Sequence, residues 1–156
     1  MKRFPEDQLQ RLSQAKTIVI ETQLSSQARS HSTPIWVVIE DGEVYLRSYR
    51  GQAGRWYQEI PAFPFAVVHL NEEHLPVRAM QVTDKATVAR VSQALLQKYL
   101  TSSYVGCMVR DEIVATTLRL EPASPWYATT PEERKIPEKA LECTQETRPY
   151  IKSKIS

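Results

Sequence analysis

Apolar positions along this chain change their spacing several times, and each change marks a new element. Between Pro5 and Ala15 only Leu9 and Leu12 interrupt polar residues, which predicts a short surface helix with a proline in its first turn. Residues 17–23 (TIVIETQ) switch to β-branched types and predict a strand. Residues 24–34, rich in Ser, Gln and Thr without any period, predict a loop whose Thr-Pro end enters the next strand extended. The alternating runs 35–40 and 43–48 flank Asp41-Gly42, the pair that favours a type I′ hairpin turn. That turn fixes a register. Glu40 faces Glu43, Val38 faces Tyr45 and Trp36 faces Arg47 on one side, while Ile39/Val44, Val37/Leu46 and Ile35/Ser48 form the other. The second side is aliphatic and should face the core. The first carries an indole, a phenol and a guanidinium, and is expected to face a ligand or a partner.

Further along, residues 53–60 (AGRWYQEI) predict about two helical turns, stopped by Pro61 and Pro64. Residues 65–70 (FAVVHL) read as a buried strand, 71–74 as a turn and 75–82 as a further strand. Asp84 is a fitting N-cap for a helix over 85–100, with Val88, Val91, Leu95 and Tyr99 along one face. Tyr99 and Tyr104 are expected to pack at its end. Arg110-Asp111-Glu112 reads as a charged turn before a last strand over 113–120 (IVATTLRL). Short connections between the strands favour an antiparallel meander. From Pro122 onward the chain is polar and broken by Pro125, Pro131, Pro137 and Pro149, so it divides into a domain over 1–122 and a tail over 123–156. Trp126, Tyr127, Tyr150 and Ile151 are expected to anchor that tail on the body or on a second subunit.

Length and charge narrow the function classes. A chain of 156 residues, 42% hydrophobic and 24% charged, suits one globular core. A net charge of +2 gives no reason to expect a general nucleic-acid or membrane-surface binder, so any positive site must be local. The start, MKRFPEDQLQ, has no apolar leader and no stretch is apolar enough to span a bilayer; a cytoplasmic protein is the expectation. Cys107 and Cys143 lie far apart, and His31, His69 and His74 lack ligand spacing, so two free thiols and no metal site are expected.

The chemistry-bearing segment is Arg47-Ser48-Tyr49-Arg50-Gly51-Gln52-Ala53-Gly54-Arg55-Trp56-Tyr57. Three guanidiniums, a hydroxyl and two glycines stand where a strand gives way to a helix, a place where free N–H groups and the helix dipole favour an anion. Arginine presents a planar fork of donors matched to phosphate. Trp56 and Tyr57 beside the loop, with Trp36 and Tyr45 on the hairpin, offer surfaces for a planar ring. A phosphorylated aromatic ligand fits these residues together, and so does a structural loop pairing its arginines with carboxylates. No set of residues forms a nucleophile elbow or Cys-His pair, so catalytic residues are left unassigned.

The segments TPIWVV (33–38), EVYLRS (43–48), Arg50-Gly51, GRWY (54–57), Lys98-Tyr99 and TTLRLEP (116–122) resemble an uncharacterised bacterial family, itself similar to the FMN-binding split barrels of pyridoxamine-phosphate oxidases and deazaflavin-dependent nitroreductases. The resemblance implies a mixed α+β, mainly antiparallel fold: a six-stranded split β-barrel with two or three helices, assembled as a homodimer. It implies FMN or deazaflavin as cofactor, with Trp36, Arg47 and Ser48 near the ring and ribityl chain, Arg50 and Arg55 at the phosphate, and Gly51 and Trp56 completing the pocket. An enzyme built so would be a flavin-dependent oxidoreductase acting on a small molecule. The alternative is a dimeric binding module, or a sensor of a phosphorylated small molecule, that has lost flavin. The lysine after the hairpin and the C-terminal arginines of pyridoxamine-phosphate oxidases have no counterparts here, which argues against oxidation of a vitamin B6 phosphate.

Overall fold

The computed structural model describes residues 3–124; the expectations for Trp126, Tyr127, Cys143, Tyr150 and Ile151 lie outside them. Seven strands, β1 (Ile18–Thr22), β2 (His31–Ile35), β3 (Val38–Glu40), β4 (Glu43–Leu46), β5 (Phe65–Leu70), β6 (Glu73–Gln81) and β7 (Leu118–Pro122), join with four helices, α1 (Glu6–Gln14), α2 (Arg55–Ala62), α3 (Lys85–Lys98) and α4 (Asp111–Val114). All pairings are antiparallel, in the order β2-β1-β5-β6-β7-β4-β3. The arrangement is three hairpins with β7 inserted between β6 and β4, so the expected simple meander is replaced by a sheet curled into a half-barrel. Its two outermost strands, β2 and β3, are consecutive in the chain and separated only by Trp36 and Val37.

Several expectations hold and several shift. The Asp41-Gly42 turn has φ of 54° and 75°, the left-handed pair a type I′ turn needs, and Val38↔Tyr45, Ile39↔Val44 and Glu40↔Glu43 pair as expected. Before Val38, however, the chain leaves β4. Ile35 pairs with Ile18 instead of Ser48, and the pairs Trp36/Arg47 and Val37/Leu46 do not form. The seventh strand is β2, from a segment expected to be loop. Its His-Ser-Thr-Pro start lacks strand character, but at the edge of a sheet Pro34 needs no ladder N–H. Pro61 sits within the last turn of α2 rather than beyond it. The last strand starts at Leu118, because residues 111–114 coil as α4 and the hydroxyls of Thr116 and Thr117 bond back to the carbonyls of Ile113 and Val114.

Two apolar clusters hold the fold. Inside the curl, Ile18, Ile20, Val44, Leu46, Val68, Val77, Leu118 and Leu120 meet Leu12 of α1 and Trp56 and Ile60 of α2. Outside it, α3 lays Val91, Leu95 and Tyr99 on Val38 and Tyr45, with Met108 and Ile113 closing the cluster. Each such fully buried large side chain contributes about 2 kcal/mol. This second cluster corrects the reading of the hairpin's mixed face as open: α3, whose Asp84 N-cap accepts from Thr87 N at 2.9 Å, needs a partner for its apolar stripe and finds it there. Among the described residues no helix is long and apolar enough to cross a membrane.

Candidate functional site: the cationic loop before α2

Beyond Leu46 the chain stays buried for two residues and then surfaces. Ser48 N donates to Thr116 Oγ1 at 2.9 Å, and Ser48 Oγ donates to the Gly51 carbonyl at 2.7 Å. Gly51 N returns to the Ser48 carbonyl at 2.9 Å, closing a turn with Tyr49 and Arg50 at its exposed tip. Gly51 has φ of 65°, where a side chain would be strained, and a Cβ on Gly54 would stand only 2.5 Å from Ser48 Oγ. Ser48 is therefore an internal strut, and the two glycines let the loop fold tightly over it.

The loop delivers the chain into α2 with an unusual charge arrangement. Gly54 occupies the N-cap, no side chain caps the helix, and no acidic residue lies in its first turn. Arg55 begins the helix in the place where an acid would be favoured by the dipole. Arg50 and Arg55 are both exposed, and among the described residues neither has an ion pair or a side-chain hydrogen bond. Positive charge is thus added to the positive end of a helix without compensation from any other described residue.

Arg47 is placed quite differently. Its side chain is 1% exposed, and Nε, Nη1 and Nη2 donate to Thr117 Oγ1, the Met108 carbonyl and the Val88 carbonyl at 2.8, 2.9 and 2.9 Å. Burial pulls its pKa down to about 10. It ties β4 to α3 and to the segments leading into β7, so the arginine expected beside a ring is engaged with protein atoms. Trp56 packs in the inner core. Trp36, half-buried, stacks face to face on Tyr99, with ring centres 3.9 Å apart and planes within 2°. Of the seven residues expected at a ligand, the structure brings Arg50, Gly51 and Arg55 together on the loop, sets Ser48 behind it, and sends Arg47, Trp36 and Trp56 into packing.

Other groupings were not legible in the sequence. The Glu59 carboxylate, buried on α2, accepts from Thr22 Oγ1 at 2.6 Å and meets His31 Nδ1 at 2.9 Å, joining α2 to β1 and β2. Glu21 meets His69 Nε2 at 2.8 Å and Ser30 Oγ at 2.5 Å. Tyr104, expected to pack, is exposed and meets the ring of Tyr49 edge-on. Only long-range folding brings these pairs together, and no local spacing announces them. Among the described residues no group of three or more His, Cys, Asp or Glu is arranged to hold a metal ion.

The curled antiparallel sheet with its flanking helices is a split barrel, shared with solved structures of low sequence identity. The heme storage protein HutZ from Vibrio cholerae superposes with a TM-score of 0.54 at 13% identity, covering 78% of this chain and 92% of that one. A putative pyridoxamine 5'-phosphate oxidase from Listeria innocua gives 0.54 at 14% identity, covering 76% and 93%. An F420-H2 dependent reductase gives 0.52 at 16% identity, covering 68% and 94%. These similarities concern the fold. Residues 8–120 match the bacterial family DUF2255, described as an uncharacterized protein conserved in bacteria, and the chain belongs to that family. No curated protein matches the sequence.

Proposed function

We propose that this protein binds a phosphorylated flavin-type cofactor, FMN or a deazaflavin, as a homodimer, and that with it bound the protein is an oxidoreductase acting on a small molecule. The observation that carries this reading is the cationic start of α2, unpaired among the described residues. Among the described residues Arg50 and Arg55 have no counter-charge, and Arg55 occupies a position where the helix dipole disfavours it. A phosphate at this point would accept from the free first-turn N–H groups and from both guanidiniums, relieving that repulsion. Support for the flavin class comes from the split-barrel neighbours, a putative pyridoxamine-phosphate oxidase and an F420-H2 dependent reductase among them.

The cofactor would supply hydride or electron transfer. The chain's own part would be to bind and orient. Arg50 and Arg55 would hold the phosphate, Gly51 and Gly54 would allow its close approach, and buried Ser48 would fix the loop's shape. Arg47, Trp36 and Trp56 would act one layer back, by keeping β4, α3 and α2 in place.

Titration of the purified protein with FMN and with coenzyme F420, followed by fluorescence, tests the reading. A charge-assisted hydrogen bond is worth about 1.5–3 kcal/mol, so Arg50→Ala and Arg55→Ala should each weaken binding roughly ten-fold or more. Absence of binding to either compound, or preferential binding of hemin, would overturn it. Sedimentation that finds only monomer would remove the dimer.

A further inference from the structure

The described residues leave four large hydrophobic side chains well exposed, and two of them, Tyr49 at 51% and Tyr104 at 60%, touch each other. Their ring centres are 6.3 Å apart and their planes cross at 86°. They arrive from separate parts of the chain. Tyr49 stands at the tip of the turn closed by Ser48 and Gly51, next to Arg50; Tyr104 lies in the segment after α3 and starts a tight turn at residues 105–109, its own N–H donating to Ser102 Oγ at 3.1 Å. Holding two phenol rings together in water, away from either core, brings little apolar burial in return for the lost side-chain freedom. The arrangement becomes favourable when a third apolar surface covers it.

We infer that the Tyr49–Tyr104 pair is the ring-binding wall of the cofactor site: it receives the planar ring of the ligand whose phosphate is held by Arg50 and Arg55. This inference rests on the flavin-type reading and deepens it, by moving the ring contact from Trp36 to a pair that the sequence does not connect. Three features favour a planar, phosphorylated occupant. Tyr49 and Arg50 are consecutive at the exposed tip of one closed turn, so an aromatic ring and a guanidinium leave the backbone at adjacent positions. The edge-on geometry leaves the broad face of one ring open for offset stacking. Trp36, the other candidate, already gives one face to Tyr99.

The test compares FMN with riboflavin, which has the same ring and no phosphate, against the full-length protein and its variants. Tyr49→Ala and Tyr104→Ala should weaken both compounds by a similar factor, roughly ten-fold, whereas Tyr104→Phe should bind as the parent does. Arg50→Ala combined with Arg55→Ala should weaken FMN and leave riboflavin unchanged. Circular dichroism checks that the exposed substitutions leave the fold intact. If the tyrosine variants bind FMN as the parent does while the arginine variants lose it, the ring lies elsewhere: the inference fails and the cofactor reading stands. If the tyrosine variants keep FMN but shift sedimentation from dimer to monomer, the pair is the seam with a second copy and the inference likewise fails. Failure of the parent to bind FMN or coenzyme F420 overturns both.

Discussion

Two arginines three positions apart should behave in opposite ways, and this is the sharpest expectation the fold supports. In Arg47→Met an unbranched apolar stem is kept, but the guanidinium and its three bonded nitrogens are lost. The Met108 carbonyl is stranded in the core, which costs about 1–3 kcal/mol. The Val88 carbonyl retains its helical N–H and Thr117 Oγ1 still donates to the Val114 carbonyl, so each loses about 1 kcal/mol. Removing a buried charge relieves its desolvation, the same effect that draws the Arg47 pKa down to about 10, and offsets part of the sum. The net loss is about 3 kcal/mol, or a fall in Tm of roughly 10 °C for a domain of this size. Arg50→Ala, at an exposed turn tip, should stay within about 0.5 kcal/mol of the parent. Urea denaturation read by tryptophan fluorescence makes the comparison, since Trp36 stacked on Tyr99 reports the state of α3. If Arg47→Met were as stable as the parent yet lost FMN, Arg47 would belong to the ligand and the account of the second core would be refuted.

Three further outcomes are expected. Lys98, whose Nζ donates to the Leu12 and Val37 carbonyls, has its pKa lowered to about 8 by burial. Between about pH 8 and the ordinary lysine range the unfolded chain holds a proton that the native state has released, so stability should rise with pH through that window. Urea midpoints across the window should show this rise, and Lys98→Met should flatten it. Gly54→Ala should force Ser48 Oγ off the Gly51 carbonyl, lowering stability by about 1–3 kcal/mol and weakening FMN binding. Adding Ser48→Ala should restore part of that stability by making room, and a double mutant no more stable than the single would show that the clash is not the cause. Glu59→Leu strands the Thr22 hydroxyl and the His31 ring, and should cost about 2–3 kcal/mol in the same denaturation assay.

The parts of the fold that were legible in the sequence are those whose cause is local. Asp41-Gly42 needs only its own backbone preference to make the hairpin turn, and Asp84 needs only Thr87 to cap α3. The strand at His31–Ile35 was not legible, because its evidence is the edge of β1 rather than its own composition. The same holds within the site. Arg50 and Arg55 could be singled out because a glycine-rich entry to a helix is a local pattern. Arg47 could not be told from them, since its acceptors lie 41 to 70 positions away and two of them are backbone carbonyls that a sequence does not display. The cover on the hairpin's mixed face is not legible for a related reason: which face a helix covers depends on where α3 docks, and its apolar stripe says only that it must dock somewhere.

Val37 is the point where the first and last strands of the sheet become one chain. Its N–H is taken by Tyr99 Oη at 3.1 Å and its carbonyl by Lys98 Nζ at 2.7 Å, so the last residue of α3 and the one that follows it stand in for the neighbouring strand that this residue lacks. Tyr99 Oη also donates to the Lys16 carbonyl at 2.7 Å. The joint between the two edge strands is therefore held by two adjacent side chains at the end of a helix. The amide of Val37 should exchange with solvent when the end of α3 lifts, independently of any fraying of β2 or β3.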